Sequence, residues 1–297
     1  MDLRGFYFVV MLLLISLKGI SQQGKVEYYV AMKKLAKWEQ EFFEKRKFNE
    51  AVVIYQVNFD PSDEGTLDEN KLRTAIRREI PDNSNFKLGI LDWEGKTIRK
   101  LSVLSSKSQE FKKLQANFIR AIKIAKEERP NLKWSFYDIP MRRYFSKNQA
   151  WNRESQKLLP ILKECDFISP SLYMIYPKAL EKSNGVDGYI DYNLSLCFDM
   201  AKKINKPVIP FVWHRTIDHD KKTGYGLISQ GDFKVYIEDI TRQRSNGNRV
   251  SGVIWWNSKT LHSNLKFREQ IRSFETQDLE LQKGSYETLK TYADFFK

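Results

Sequence analysis

Two carboxylates end an apolar stretch at residues 87–95, and their spacing is the first feature of this sequence that could do chemistry. The stretch reads Lys-Leu-Gly-Ile-Leu-Asp-Trp-Glu-Gly and follows a run of turn residues at 81–85. An apolar segment of this length between turn signals predicts a buried strand. Because side chains alternate faces along a strand, Asp92 and Glu94 would point the same way, about 6.5 to 7 Å apart along the chain.

Two acids on one face of a largely apolar strand repel each other, and partial burial penalises their charged forms. We therefore expect one member of the Asp92 and Glu94 pair to stay protonated well above its ordinary pKa. A proton donor beside an ionised carboxylate is the minimum needed to break a glycosidic bond. The alternative is structural: the strand end simply reaches solvent with two acids on it.

The rest of the chain must position this strand, and its pattern alternates strands with helices. Residues 24–49 have a helical period and predict a helical lead-in. Besides 87–95, strands are predicted at 51–59, 132–137, 165–169, 207–213 and 250–256. Helices are predicted at 67–80, 109–129, 151–162, 187–204 and 232–243, with a helical tail at the C-terminus.

Strict alternation favours a parallel sheet, and the length of the chain favours closure into an α/β fold of the (β/α) TIM-like barrel type. The alternative is a doubly wound open sheet. That fold would have a glycine-rich phosphate loop after its first strand, and residues 58–61 read Asn-Phe-Asp-Pro.

Barrel enzymes build their sites at the carboxyl ends of several strands, and here those ends carry aromatic and acidic residues. Beyond the acid pair they carry Tyr137, Tyr173, Trp213 and Trp256. Aromatic faces pack on the C–H surfaces of sugars, while acids and amides take their hydroxyls. This composition predicts a carbohydrate site; the structural alternative is that the aromatics cap the barrel core.

The first 21 residues have the build of a secretory signal. Arg4 precedes an apolar run at 6–17, which is shorter than the roughly twenty residues that span a bilayer. We therefore expect a signal peptide at 1–21, a single catalytic domain at 22–297, and a secreted or periplasmic protein without an integral membrane segment after signal removal.

The composition is that of a basic globular protein. The 297 residues are 41% hydrophobic and carry a formal charge of +13. For an exported protein this charge favours an anionic polysaccharide partner over nucleic acid, although a basic surface can also serve solubility alone. Cys165 and Cys197 allow one disulfide or two buried thiols. His214 and His219 adjoin a polar loop, so we expect no metal and no cofactor, and we expect a monomer.

Five segments, in order between Ala51 and Ser258, resemble the hyaluronidases, family 56 of the glycoside hydrolases. Residues 89–94 resemble the family's apolar run ending Asp-Trp-Glu or Asp-Phe-Glu, and residues 134–140 its Trp-Gly-Tyr-Tyr-x-Phe-Pro. Residues 169–173 are similar to its Tyr-Pro-Ser-Ile-Tyr, 206–210 to its Pro-Val-Tyr-Val-Tyr, and 252–258 to its Gly-Val-Val-Leu-Trp segment.

The resemblance implies a distorted barrel of seven or eight strands and a retaining mechanism in which the acetamido oxygen of the substrate is the nucleophile. In that mechanism Glu94 is the general acid and then the base, and an ionised Asp92 supports the acetamido group. Tyr173 would hydrogen-bond near that group and Trp256 would line its pocket, while Tyr144 is the candidate for a further family tyrosine if the alignment takes one extra residue. The implied substrate is hyaluronan or chondroitin.

The sequence also departs from the family pattern. Gly95 stands where the family usually has a third acid, and Pro-Asp-Cys-Tyr is replaced by residues 140–144, which add Arg142 and Arg143. These cations would suit a uronic-acid polymer, or they could reflect a different amino-sugar glycan. Two functions therefore stay open: a secreted hyaluronidase-like hydrolase, and a catalytically silent barrel that binds acidic glycans.

Overall fold

The structure is a computed structural model that describes residues 25–32, 35, 37–145, 149–176, 181–182, 185, 188–217, 226–245, 247–257 and 287–296. The strands are β1 (Glu27–Met32), β2 (Asn49–Tyr55), β3 (Leu88–Asp92), β4 (Lys133–Phe136), β5 (Phe211–Val212) and β6 (Gly252–Asn257). The helices are α1 (Lys37–Lys45), α2 (Glu69–Glu79), α3 (Gly95–Val103), α4 (Gln109–Glu128), α5 (Gln149–Ser155), α6 (Leu159–Glu164), α7 (Tyr189–Ile204) and α8 (Gln230–Arg242). Residues 287–293 are also helical.

The strands form one parallel sheet in the order β4-β3-β2-β1-β6-β5. Residues 168–171 connect its two edges through parallel bridges, Tyr137 with Ser169 on one side and Ser171 with Phe211 on the other. The strand expected at 165–169 is thus a short segment of single bridges that completes the ring. This closure confirms the (β/α) TIM-like barrel and excludes the open doubly wound sheet.

The predicted helical lead-in is wrong for its first part. Residues 27–32 form β1, which pairs with β2 on one side and with β6 on the other. The segment Tyr-Tyr-Val-Ala-Met is rich in aromatic and branched residues, and its last four residues are buried. A helix would leave half of these side chains in water, whereas a strand between two neighbours buries both faces. The helical expectation holds for α1 only.

The core has two parts, divided by the sheet. Leu88 and Ile90 of β3 belong to the cluster inside the barrel, whereas Leu91 and Trp93 belong to the larger cluster between the sheet and its helices. Strand periodicity therefore continues through β3 and assigns Asp92 to the interior face. Gly89 faces outward beneath Trp134, where an added Cβ would lie 2.4 Å from the indole ring.

Other expectations can be placed on this fold. Cys165 and Cys197 are buried free thiols, so the disulfide alternative is wrong. None of the helices in the described ranges is long and apolar enough to cross a bilayer. The signal expected at 1–21 lies outside the described residues, as do His219 and residues 258–286 of the expected C-terminal tail.

Candidate active site

Trp93 orients the acid pair from the outer side of the sheet. Its buried indole stacks on Phe118 at 4.4 Å between ring centroids and meets the edge of Phe59 at 5.1 Å. Its Nε1 donates a hydrogen bond of 2.9 Å to Asp60 Oδ2. Because alternate residues of an extended chain face opposite ways, this anchor turns Asp92 and Glu94 to the interior side.

The turn after the pair keeps the Glu94 carboxylate available. Glu94 is the residue before α3, but its side chain makes no capping hydrogen bond. Asp63 accepts the backbone N–H groups of Lys96 at 2.6 Å and Thr97 at 3.0 Å instead, so another carboxylate caps the helix. Gly95 has a φ of +68°, and a Cβ there would lie 2.2 Å from Asp63 Oδ2. Glycine is therefore the residue that fits this turn.

Asp92 and Glu94 line one open cleft at the carboxyl end of the barrel. The cleft has a volume of about 320 Å³. All predicted site residues except Tyr144 line it, together with Arg142 and three apolar side chains; the full set is Val53, Asp92, Glu94, Tyr137, Arg142, Tyr173, Phe211, Trp213, Ile217 and Trp256. The sequence-based grouping of strand ends thus corresponds to one place in the structure.

Aromatic rings form one wall of the cleft. The Tyr173 and Trp256 rings stack with centroids 5.8 Å apart and an interplanar angle of 27°. Trp213 meets Trp256 edge to face at 5.0 Å. Trp256 is held by a hydrogen bond of 3.3 Å from its Nε1 to the hydroxyl of Tyr55, the residue of β2 that pairs with Asp92. Flat, fixed rings of this kind suit the apolar face of a sugar.

Tyr144 lies behind this wall. Its hydroxyl donates to the backbone carbonyl of Tyr173 at 2.8 Å and accepts from Arg142 Nε at 2.9 Å. Its ring packs against Tyr189 with centroids 5.2 Å apart. Tyr144 is therefore not part of the cleft lining, and it supports the cleft indirectly by its hydrogen bond to the backbone of Tyr173.

Sequence reasoning missed two functional contacts of the cleft. The sequence pattern does not single out Tyr55; strand register, which places the end of β2 beside the end of β3, is the signal that identifies it. The sequence marks Arg142 as an added cation, and the structure shows that its partner is Asp138. The two side chains form an ion pair with Arg142 Nη1 3.0 Å from Asp138 Oδ2. Their spacing of four residues was the available signal, although this segment is not a helix.

The environment favours the protonated form of both acids. The pKa of Glu94 is raised to about 7, first by burial in the cleft and then by the charge of Asp138, while Arg142 opposes the shift. Glu94 still has solvent access at the cleft mouth. Burial raises the pKa of Asp92 well above its ordinary value, and the charges of Glu94 and Asp138 add to this. This direction is opposite to the expectation of an ionised Asp92.

One oxygen of the pair lacks a partner. Asp92 Oδ1 is buried and accepts no hydrogen bond from any residue that the structure describes. Leaving a buried acceptor without a partner costs roughly 1–3 kcal/mol, which a donor placed against this oxygen would offset. The atom is therefore suited to receive an N–H group of a bound molecule.

His214 belongs to the core and not to this site. It is buried, and its Nδ1 accepts a hydrogen bond of 3.0 Å from Trp255 Nε1. Its ring also packs against Tyr292 at 5.1 Å. Within the described ranges, no cluster of three metal-ligating side chains was found.

Comparisons with known proteins bear on the fold. The sequence matches no protein-family model and no curated protein. The structure is similar to the crystal structure of bee venom hyaluronidase, with a TM-score of 0.60, 18% identity, and coverage of 84% of this chain and 98% of that chain. The same enzyme in complex with a hyaluronic acid tetramer gives a TM-score of 0.60, 18% identity, and coverage of 83% and 96%. This chain thus has a hyaluronidase-like glycoside hydrolase fold.

Proposed function

We propose that this protein is a secreted glycoside hydrolase that cleaves N-acetylhexosaminide linkages with retention of configuration. One observation carries the proposal: Asp92 and Glu94 share an aromatic-walled cleft at the carboxyl end of a hyaluronidase-like barrel, and one Asp92 oxygen there has no partner among the described residues. Binding alone does not need a proton donor, whereas glycoside cleavage does.

Glu94 is the general acid in this proposal. With its pKa raised to about 7, the carboxyl group holds its proton below neutral pH, and its exposure to solvent gives it access to the leaving oxygen. The acetamido oxygen of the substrate forms a bond to the anomeric carbon while the glycosidic C–O bond breaks. Glu94 transfers its proton to the departing oxygen. The resulting carboxylate then takes a proton from a water molecule whose oxygen bonds to the anomeric carbon, while the bond between that carbon and the acetamido oxygen breaks and the acetamido group is restored.

Asp92 orients the acetamido group in this proposal. Its unpartnered Oδ1 accepts the acetamido N–H, which favours the ionised form of Asp92 and strengthens the carbonyl oxygen as a nucleophile. Burial favours the neutral form of Asp92, whereas the reaction needs the ionised form. The N–H donor of the bound substrate shifts Asp92 toward the ionised form. Substrate-assisted enzymes are exceptions to the rule that relates carboxyl separation to stereochemistry, so that rule does not apply here.

The substrate class follows from the walls and from the charge. The Tyr173 and Trp256 rings offer a face for the sugar, and the chain as a whole carries +13. We infer an amino-sugar polymer with anionic character, such as hyaluronan or chondroitin. The bee venom enzyme was crystallised with a hyaluronic acid tetramer, which supports this class. The same charge favours the second candidate, a silent barrel that binds acidic glycans.

The test is Glu94→Gln in purified protein, assayed for reducing ends released from hyaluronan, chondroitin, heparosan and chitin oligosaccharides. Loss of the general acid should lower turnover by about 10²- to 10⁴-fold while glycan binding persists. Glu110→Gln is the matched control, because Glu110 pairs with Lys100 on the surface at 3.1 Å and does not line the cleft.

Unchanged turnover in Glu94→Gln would remove the catalytic assignment. A wild-type protein that binds acidic glycans and releases no reducing ends from any of the four substrates would support the binding function instead.

A further inference from the structure

A buried ion pair lies against the cleft, and the acid pair does not explain it. Arg142 Nη1 is 3.0 Å from Asp138 Oδ2, and the two side chains are only 17% and 10% exposed. Removing two charges from water is costly, and apolar residues of the same size often serve stability as well or better. The pair therefore calls for a role at the cleft.

Asp138 is fixed in place by the backbone. It follows the Tyr137 bridge with a φ of 55°, a conformation that few residues other than glycine adopt. Its Oδ1 accepts the backbone N–H of Arg142 at 3.1 Å and that of Ser171 at 3.2 Å. The carboxylate thus joins the segment after β4 to the segment at 168–171 that closes the barrel.

Arg142 connects the same carboxylate to the tyrosines of the cleft. Its Nε donates to the Tyr144 hydroxyl at 2.9 Å, and its Nη1 donates to the Tyr137 hydroxyl at 3.3 Å. The guanidinium carbon lies 5.8 Å from the centroid of the Tyr173 ring. Through these contacts one planar cation holds two hydroxyl groups and one ring of the wall.

Asp138 and Arg142 also act electrostatically on Asp92 and Glu94, Asp138 with a negative charge and Arg142 with a positive one. The titratable and charged groups around Glu94 come from four parts of the barrel; they are Tyr55 of β2, Asp92 of β3, Tyr137, Asp138 and Arg142 after β4, and Tyr173 after the segment at 168–171. The Asp138 charge raises the pKa of Glu94 and the Arg142 charge lowers it. The two effects oppose each other at the same carboxyl group.

We propose that Asp138 and Arg142 are a positioning pair for the proposed hydrolysis, which holds the cleft tyrosines and balances the charge beside Asp92 and Glu94. This inference rests on the proposed function, because the balance matters for an acid that must give up its proton and take it back. The pair acts through Glu94 and the tyrosines, and its own groups are not placed at the reacting atoms.

The test is a charge cycle read at Glu94. The carboxyl carbon of Glu94 is titrated by NMR in ¹³C-labelled protein, with the signal assigned through Glu94→Gln. Asp138→Asn keeps an oxygen for the two N–H donors but leaves the Arg142 charge unbalanced, so the Glu94 midpoint should fall by at least about half a unit. Adding Arg142→Gln to Asp138→Asn removes the cation, and the midpoint should move back by at least half of that fall.

A matched control comes from the opposite end of β4. Asp166 pairs with Lys126 at 2.6 Å and accepts the backbone N–H of Trp134 at 2.8 Å. Asp166→Asn removes a partly buried ion-pair carboxylate that does not line the cleft. It should leave the Glu94 midpoint in place, whatever it does to stability.

The outcomes separate this inference from the proposed function. If the pair had a purely structural role, adding Arg142→Gln to Asp138→Asn would shift the Glu94 midpoint further in the same direction as Asp138→Asn alone, or neither variant would shift it more than Asp166→Asn does. Either result would overturn the inference. If the double variant does not fold, Arg142→Met in the Asp138→Asn background repeats the measurement with the same criterion. The titration does not need turnover. An inactive wild-type protein would therefore contradict the proposed function, while the titration would still test whether Asp138 and Arg142 balance the charge at Glu94.

Discussion

At the scale of the residue, the chemistry of the cleft depends on where one proton resides. The spacing of Asp92 and Glu94 predicted that one carboxyl would hold a proton above its usual pKa. In the structure both do, because the same walls remove water from both acids and because Asp138 adds a negative charge to each. A dyad of this kind titrates as a unit, so the proton belongs to the pair until a bound donor selects one member.

This proton predicts the pH dependence of the proposed reaction. Glu94 must be protonated to assist the leaving oxygen, and its pKa is raised to about 7. Activity is therefore present below that pH and is lost as the pH rises through it. The measurement is kcat/KM on hyaluronan across pH 4 to 9, with an expected basic limb near neutrality.

An aryl glycoside provides the control for this limb. A phenolate departs without a proton, so the limb should weaken on that substrate. A limb that stays the same on both substrates would show that another group titrates.

At the scale of the element, the end of β3 and the start of α3 work as one positioning unit. Trp93 is anchored to Asp60 and Phe118 on the outer side of the sheet. Only Glu94 separates it from the first residue of α3, so the chain must turn sharply there. Gly95 makes that turn possible, and Asp63 takes over the helix cap that a free Glu94 cannot supply. The positive φ of Gly95 and the contact that an added Cβ would make with Asp63 account for the glycine at this position.

Gly95→Ala tests this unit. The substitution adds a Cβ 2.2 Å from Asp63 Oδ2 at a φ of +68°, so the turn must move. We expect a loss of about 1–3 kcal/mol in the free energy of unfolding, measured with urea, and a fall in kcat as Glu94 is displaced.

Gly231→Ala is the matched control for Gly95→Ala. Gly231 lies in the first turn of α8, and an added Cβ there meets no atom within 4 Å. Alanine is the better helix former, so this variant should be neutral or stabilised by up to about 1 kcal/mol. Equal effects of the two substitutions would contradict the role assigned to Gly95.

At the scale of the whole molecule, the charge of the chain and the charge of the cleft differ. The chain carries +13, whereas the cleft holds two acids and one cation that is already paired with Asp138. The excess positive charge therefore lies outside the residues that line the cleft. In the proposed function it attracts the polymer, while the cleft holds the sugar that is cut.

Salt should separate these two contributions. Raising NaCl from about 50 mM to about 500 mM shortens the range of the attraction severalfold, so kcat/KM on hyaluronan should fall by about tenfold or more. Uncharged chitin oligosaccharides, if cleaved, should show little change. A similar loss on both substrates would locate the effect in the cleft and not in the overall charge.

The sequence alone determined the features that depend on local pattern. Alternation along residues 87–95 brought Asp92 and Glu94 to one face, and the order of strands and helices predicted the barrel. From the barrel it followed that Tyr137, Tyr173, Trp213 and Trp256 would meet at one end, because parallel strands share their carboxyl edge. These inferences needed only the period of a strand and the direction of the chain.

Tertiary structure decided the features that depend on neighbours distant in sequence. Residues 27–32 became a strand because β2 and β6 lie on either side of them. Asp138 and Arg142 are four residues apart, but they lie outside any helix, so only the fold brings them together as an ion pair. Tyr144 takes its place behind Tyr173 through a hydrogen bond to a residue distant in sequence. The protonation of Asp92 was decided by burial. Desolvation and through-space charge are properties of the folded cleft, and for that reason no stretch of sequence contains them.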